Sequence, residues 1–137
     1  MTEQQVTVPL PENLYLRLKQ VAQATQQSFT DVLIHAVEMG SPPSWETAPS
    51  EFQEDLAPLD RLNDEALWQI ARSHKTEADM ERYQELLDKN ADGTLTEGER
   101  VELVQMRTEA DRFMLRKAHA AALLRWRGHK LPPPEKM

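Results

Sequence analysis

VTVPLPENLYLRLKQVAQATQQSFTDVLIHAVEMG, residues 6–40, is the stretch on which the fold depends. Val6 and Val8 alternate with Gln5 and Thr7, so a short extended run has one apolar face and one polar face. Pro11 suits the first turn of a helix, where a missing N–H costs nothing. Leu14, Leu18, Val21 and Ala22 follow at helical spacing and form one stripe. Ser28 and Asp31 have the spacing of a capping box, Phe29, Leu33, Ala36 and Val37 make a second stripe, and Gly40 stands where a helix would end. The pattern predicts one strand followed by two amphipathic helices. A lone short strand has no partner for its backbone groups, so the segment also predicts a homodimer paired through its strands.

This order of elements resembles the ribbon-helix-helix domain of Arc- and MetJ-type repressors and of many bacterial antitoxins, over residues 1–42. The resemblance implies a two-stranded ribbon in the major groove of duplex DNA, with Gln5 and Thr7 as the base-reading side chains. Pro9, on the same face, brings no donor. It also implies a phosphate held by the amides at the start of the second helix, around Ser28, Phe29 and Thr30. Asp31 lies one turn away and opposes an anion there. Residues 1–40 hold Arg17 and Lys19 against Glu3, Glu12, Asp31 and Glu38, a balance of −2, which leaves little to neutralise phosphates. A dimerisation module that keeps the fold without the grip on DNA satisfies the same letters.

The 137 residues are enough for one compact domain or two small ones, and 39% hydrophobic with 28% charged residues suits a helical protein with a modest core. No cysteine is present, which removes disulfides and thiolate metal sites. No apolar run approaches a membrane span and the N-terminus lacks a signal pattern, so no membrane partner and a cytoplasmic location are expected. The net charge of −7 is unevenly spread. Residues 41–109 carry seven Lys/Arg against seventeen Asp/Glu, and residues 110–137 carry seven against two. An acidic middle beside a basic end implies either internal pairing or two different partner surfaces.

Residues 43–62 are proline-rich and acidic and have the character of a tethering linker, with a short helix over 50–56. Residues 63–127 predict three helices and residues 128–137 a tail. Asn63 is a helix N-cap before Leu67, Trp68, Ile70 and Ala71. Thr76 to Asp79 repeats the capping spacing before Met80, Tyr83, Leu86 and Leu87. Thr96 and Glu99 form the cleanest capping box, followed by about thirty residues without proline or glycine. Leu103, Met106, Ala110, Phe113 or Met114, Ala118, Ala121 and Leu124 mark the buried side of that long helix, and the whole predicts an antiparallel hairpin. The fold class expected is mainly α, with a ribbon-helix-helix at the N-terminus.

The turn of the hairpin, DKNADGTLTEGE at 88–99, matches the twelve-residue EF-hand loop. Asp88, Asn90 and Asp92 take the first oxygen positions, Gly93 the sharp turn, Thr94 the carbonyl position and Glu99 the bidentate end, which makes Ca2+ the candidate metal and the one candidate cofactor. The same letters also describe a turn followed by a helix cap. The second half resembles a group of uncharacterised small bacterial helical proteins that carry GTLT-x-x-E and an RG tail. Near its end, Arg112, Arg116, Arg125, Trp126 and Arg127 are candidates for phosphate, base or acidic-protein contact.

No glycine-rich phosphate loop, GxSxG or HExxH occurs, and the four histidines are scattered, so an enzyme is not expected. The layout implied by the resemblance is an antitoxin-like or small transcriptional regulator, a homodimer holding duplex DNA at one end and a toxin, nuclease or other protein partner at the other. The alternatives are a scaffold or assembly subunit that docks other proteins and does not touch DNA, and a helical protein responsive to Ca2+.

Overall fold

The computed structural model describes residues 3–133, and among them every regular element is helical. The helices are α1 (Glu12–Thr25), α2 (Phe29–Gly40), α3 (Ser50–Leu56), a 3-10 turn (Ala57–Arg61), α4 (Asp64–Ala71), α5 (Glu77–Asp92) and α6 (Glu97–Trp126). The expected N-terminal strand is not among them. Residues 3–11 carry no regular structure, and Val6 and Val8 are 78% and 63% exposed. Alternation shows where side chains point if a sheet exists, but ladder bonds make a strand, and Pro9 and Pro11 each lack the N–H a ladder uses. Among the described residues the fold is mainly α without a β element, which overturns the ribbon-helix-helix assignment and with it dimerisation through paired strands.

The chain divides after Ser41 into two compact units. In the first, α1 packs on α2, with Ala22 and Val32 buried and the rings of Tyr15 and Phe29 5.2 Å apart. The reversal between them turns on Gln26, held in the left-handed region at φ 56°, while the Gln27 amide donates to the Ala22 carbonyl at 3.0 Å. Ser28 then caps α2, its hydroxyl accepting from the Asp31 amide at 3.0 Å.

The second unit is built on α6, a helix of 30 residues. Its C-terminal part packs against α4 and the 3-10 turn: Leu59, Leu67 and Ala71 meet Ala120, Leu123 and Leu124. The small alanines of α6 let the α4 backbone come close, so eight residues of α4 suffice to close this core. Asn63 starts α4, accepting from the Ala66 amide at 2.9 Å. On another side of α6 lies α3, with Phe52 and Leu56 buried. The proline-rich stretch before α3, expected to be part of a linker, is tied to it. The Gln53 side chain donates to the carbonyls of Glu46 and Ala48 at 3.1 and 2.9 Å.

Helix α5 lies antiparallel to the N-terminal half of α6, closed by Leu86 and Leu103 beside the turn. Thr76 and Thr96 cap the two helices, and the Thr96–Glu99 capping box is complete, with both bonds at 3.1 Å. The Leu59/Leu67/Leu124 core predicts that Leu124→Ala costs about 2–5 kcal/mol in urea unfolding. The exposed control Met114→Ala stays within about 0.5 kcal/mol.

Candidate functional site

The first unit leaves more apolar surface in water than it buries. Leu14 and Leu18 are half-buried, Val21 is exposed, and on α2 Leu33 is half-buried while Ile34 and Val37 are 51% and 60% exposed. Thr30, Leu33, Ile34 and Val37 share one face of α2 without a charge among them. Gln5 and Thr7 are exposed on the irregular segment, and among the described residues no ribbon carries them. The Ser28 hydroxyl is engaged as a cap, Phe29 is stacked near Tyr15, and Thr30 is exposed.

Residues 88–99 take the form of a helix end, a turn and a helix start. Asp88, Asn90 and Asp92 lie on the last turns of α5, where residues two apart point to different sides. Gly93, at φ 71°, is the left-handed cap of α5, and the Thr94 amide closes back on the Lys89 carbonyl at 2.9 Å. Asp88 accepts from the Gln84 amide at 2.9 Å. Glu99 holds the Thr96 amide with one oxygen and the Lys89 ammonium with the other, at 2.6 Å. One turn along, Arg82 grips both oxygens of Glu102 at 2.9 and 2.8 Å. Lys89 and the Thr96 amide hold the Glu99 carboxyl down to about 2, and Glu99 in turn raises Lys89. Arg82 lowers Glu102 and is itself raised by it. Among the described residues no group of three or more His, Asp or Glu is arranged to hold a metal ion.

Part of the basic end of the chain is paired with the acidic middle. Arg112 pairs with Asp55 of α3 at 2.7 Å and lies over the Phe52 ring. Arg127 donates to the Leu62 carbonyl and to Asp64, both at 2.8 Å, and His129 meets the other Asp64 oxygen at 2.7 Å. Arg127 and His129 together hold the Asp64 carboxyl below its usual range. His119, buried in α6, meets Asp60 at 2.8 Å. Arg116, Arg125 and Trp126 are exposed. Arg112, His119, Arg127 and His129 thus pair the basic end in part with the acidic middle, while Arg116, Arg125 and Lys130 are exposed.

A further concave feature lies where α5 and α6 separate. A groove with two lobes, of about 220 and 480 Å³, runs between them, and the lobes share Lys75 and Met80. Its apolar lining is Met80, Tyr83, Met106, Ala110, Phe113 and Met114. Most of these belong to the stripes that helical spacing assigns to a buried side, yet Met80 and Met114 are 55% and 65% exposed. Three methionines facing one groove were the available sign of this site, because Met adapts to varied surfaces.

Comparison with protein-family models, with curated proteins and with solved structures finds no match to the chain. Neither the ribbon-helix-helix resemblance nor that of the second half to small bacterial helical proteins receives support from them.

The Glu99 pair carries a pH dependence. Its carboxyl titrates lower in the folded chain than the ordinary 4.5, so the pair's stabilisation is complete above about pH 4.5 and is lost as pH falls toward about 2. In an acid titration followed by circular dichroism, Glu99→Gln is expected to flatten the stability change over that window.

Proposed function

We propose that this chain is an assembly protein, in which two copies associate through the apolar faces of their N-terminal helix pairs and the second unit docks another protein. The observation that carries the reading is the imbalance in the first unit: Ala22 and Val32 are its buried residues, while Val21, Ile34, Val37 and Met39 stand in water. A helix pair with so small a core is not stable by itself, since the apolar face that should offset chain entropy is uncovered. Tyr15 and Leu16 are exposed as well, and apolar surface left uncovered on a helix pair marks a site of association. A second copy suits it because residues near a two-fold axis meet their own kind, and the Thr30–Val37 stripe presents no charge to be opposed. This reading departs from the DNA-binding regulator, whose readout required the ribbon.

Light scattering on the full chain at micromolar concentration should give twice the monomer mass. Ile34→Glu with Val37→Glu should return the monomer, with α6 retained by circular dichroism. A monomeric wild type sinks the proposal, and duplex-DNA binding that weakens with salt favours the regulator instead.

A further inference from the structure

We propose that the groove between α5 and α6 binds one amphipathic helix of about three turns from a protein partner, acidic in its first turn and basic in its last. The inference deepens the docking role proposed above and depends on it, but it concerns a different surface from the N-terminal helix pair.

Length sets the first constraint. From Met106 to Lys117 the groove follows α6 for about 16 Å, the rise of three helical turns. A helix of that length lays apolar residues at i, i+3 or i+4, and i+7 along one side, which matches a floor of Met106, Ala110, Phe113 and Met114 on α6 and Met80 and Tyr83 on α5.

Charge sets the second. One end of the groove is lined by His74 and Lys117 and the other by Asp79 and Glu109, with Lys75 lining both lobes. The Lys75 ammonium lies 5.5 Å from the centre of the Phe113 ring, over the apolar floor. Lys75, Lys117, Asp79 and Glu109 make no salt bridge among the described residues. A helix whose first turn is acidic and whose last turn is basic, the distribution favoured by its own dipole, meets both ends when it runs antiparallel to α6.

Helix α6 already holds one short apolar and acidic helix within the chain. On a neighbouring face it takes α3, anchored by Phe52 and Leu56, with Asp55 on Arg112 and the Arg112 guanidinium over Phe52. In the groove, Lys75 is the cation beside an apolar floor, here over Phe113 of α6 itself.

The test uses the full chain and a fluorescein-labelled, end-capped peptide of about twelve residues, with Glu in its first turn, Leu at i, i+4, i+7 and i+11, and Arg in its last turn. A second peptide has the Glu and Arg positions exchanged. Anisotropy should show micromolar binding of the first peptide and about tenfold weaker binding of the second. Lys117→Glu should weaken the first peptide by about tenfold, and Met114→Glu should abolish its binding. Absence of binding, equal binding of the two peptides, or indifference to both substitutions overturns the proposal. Light scattering on the same variants keeps the two readings apart. If Met114→Glu halves the mass, the groove is an interface between copies and the partner-helix proposal fails. If wild type is monomeric but binds the first peptide selectively, self-association fails and the groove assignment stands.

Discussion

Thirty residues of unbroken helix, about 45 Å, must be covered by elements far shorter than themselves. That mismatch governs the second unit. Helix α4 covers about 12 Å and α5 about 24 Å at 1.5 Å per residue. The first closes the C-terminal end of α6, where alanines permit a tight seam, and the second closes the N-terminal end beside the turn. Between these two closures the apolar side of α6 continues through Met106, Ala110, Phe113 and Met114 with incomplete cover. The groove is the consequence of one long helix meeting two short ones.

Electrostatics reinforces the two closures, while mid-helix the pair of Arg112 with Asp55 serves α3 and not the groove. At the turn, Lys89 with Glu99 and Arg82 with Glu102 bind α5 to α6. At the far end, Arg127 and His129 converge on Asp64, the first residue of α4, and His119 reaches Asp60. A carboxylate in the first turn of a helix is favoured by the dipole, and the Arg127 fork adds orientation to that charge. Arg127 also takes the Leu62 carbonyl, so the chain just ahead of α4 is held as well. Some of the acidic and basic residues kept apart along the chain thus bring distant segments together, through Arg112–Asp55 and Arg127–Asp64.

The local signals in the sequence proved sound at the starts of α2, α4, α5 and α6, though α3 begins after Pro49 and not on a Ser50 cap. Asn63, Thr76 and Thr96 cap the helices their spacing assigned to them, because a cap is a bond between residues three apart and needs no distant partner. The helix at 50–56 and the thirty-residue helix were legible for a similar reason: proline sets bounds on one, and its absence permits the other. Two patterns misled. The Val6/Val8 alternation lacked a ladder to join. The oxygen-bearing residues from Asp88 to Asp92 had the spacing of a loop but followed α5 to its end, since Gly93 serves equally well as a helix cap.

Residue order alone determined the helical class, the caps, the long α6 and the position of the hairpin turn, because each rests on interactions within a few residues. Only the tertiary structure decided which parts of the apolar stripes are covered. Periodicity gives Met80 and Met114 the same standing as Leu86 and Leu124, yet the first two stand in water and the last two do not. On α2, Val32, outside the expected stripe, is buried, while Val37, within it, is exposed. Burial is a property of what lies opposite, and what lies opposite depends on helix lengths and on pairs such as Arg127–Asp64, separated by some sixty residues of chain.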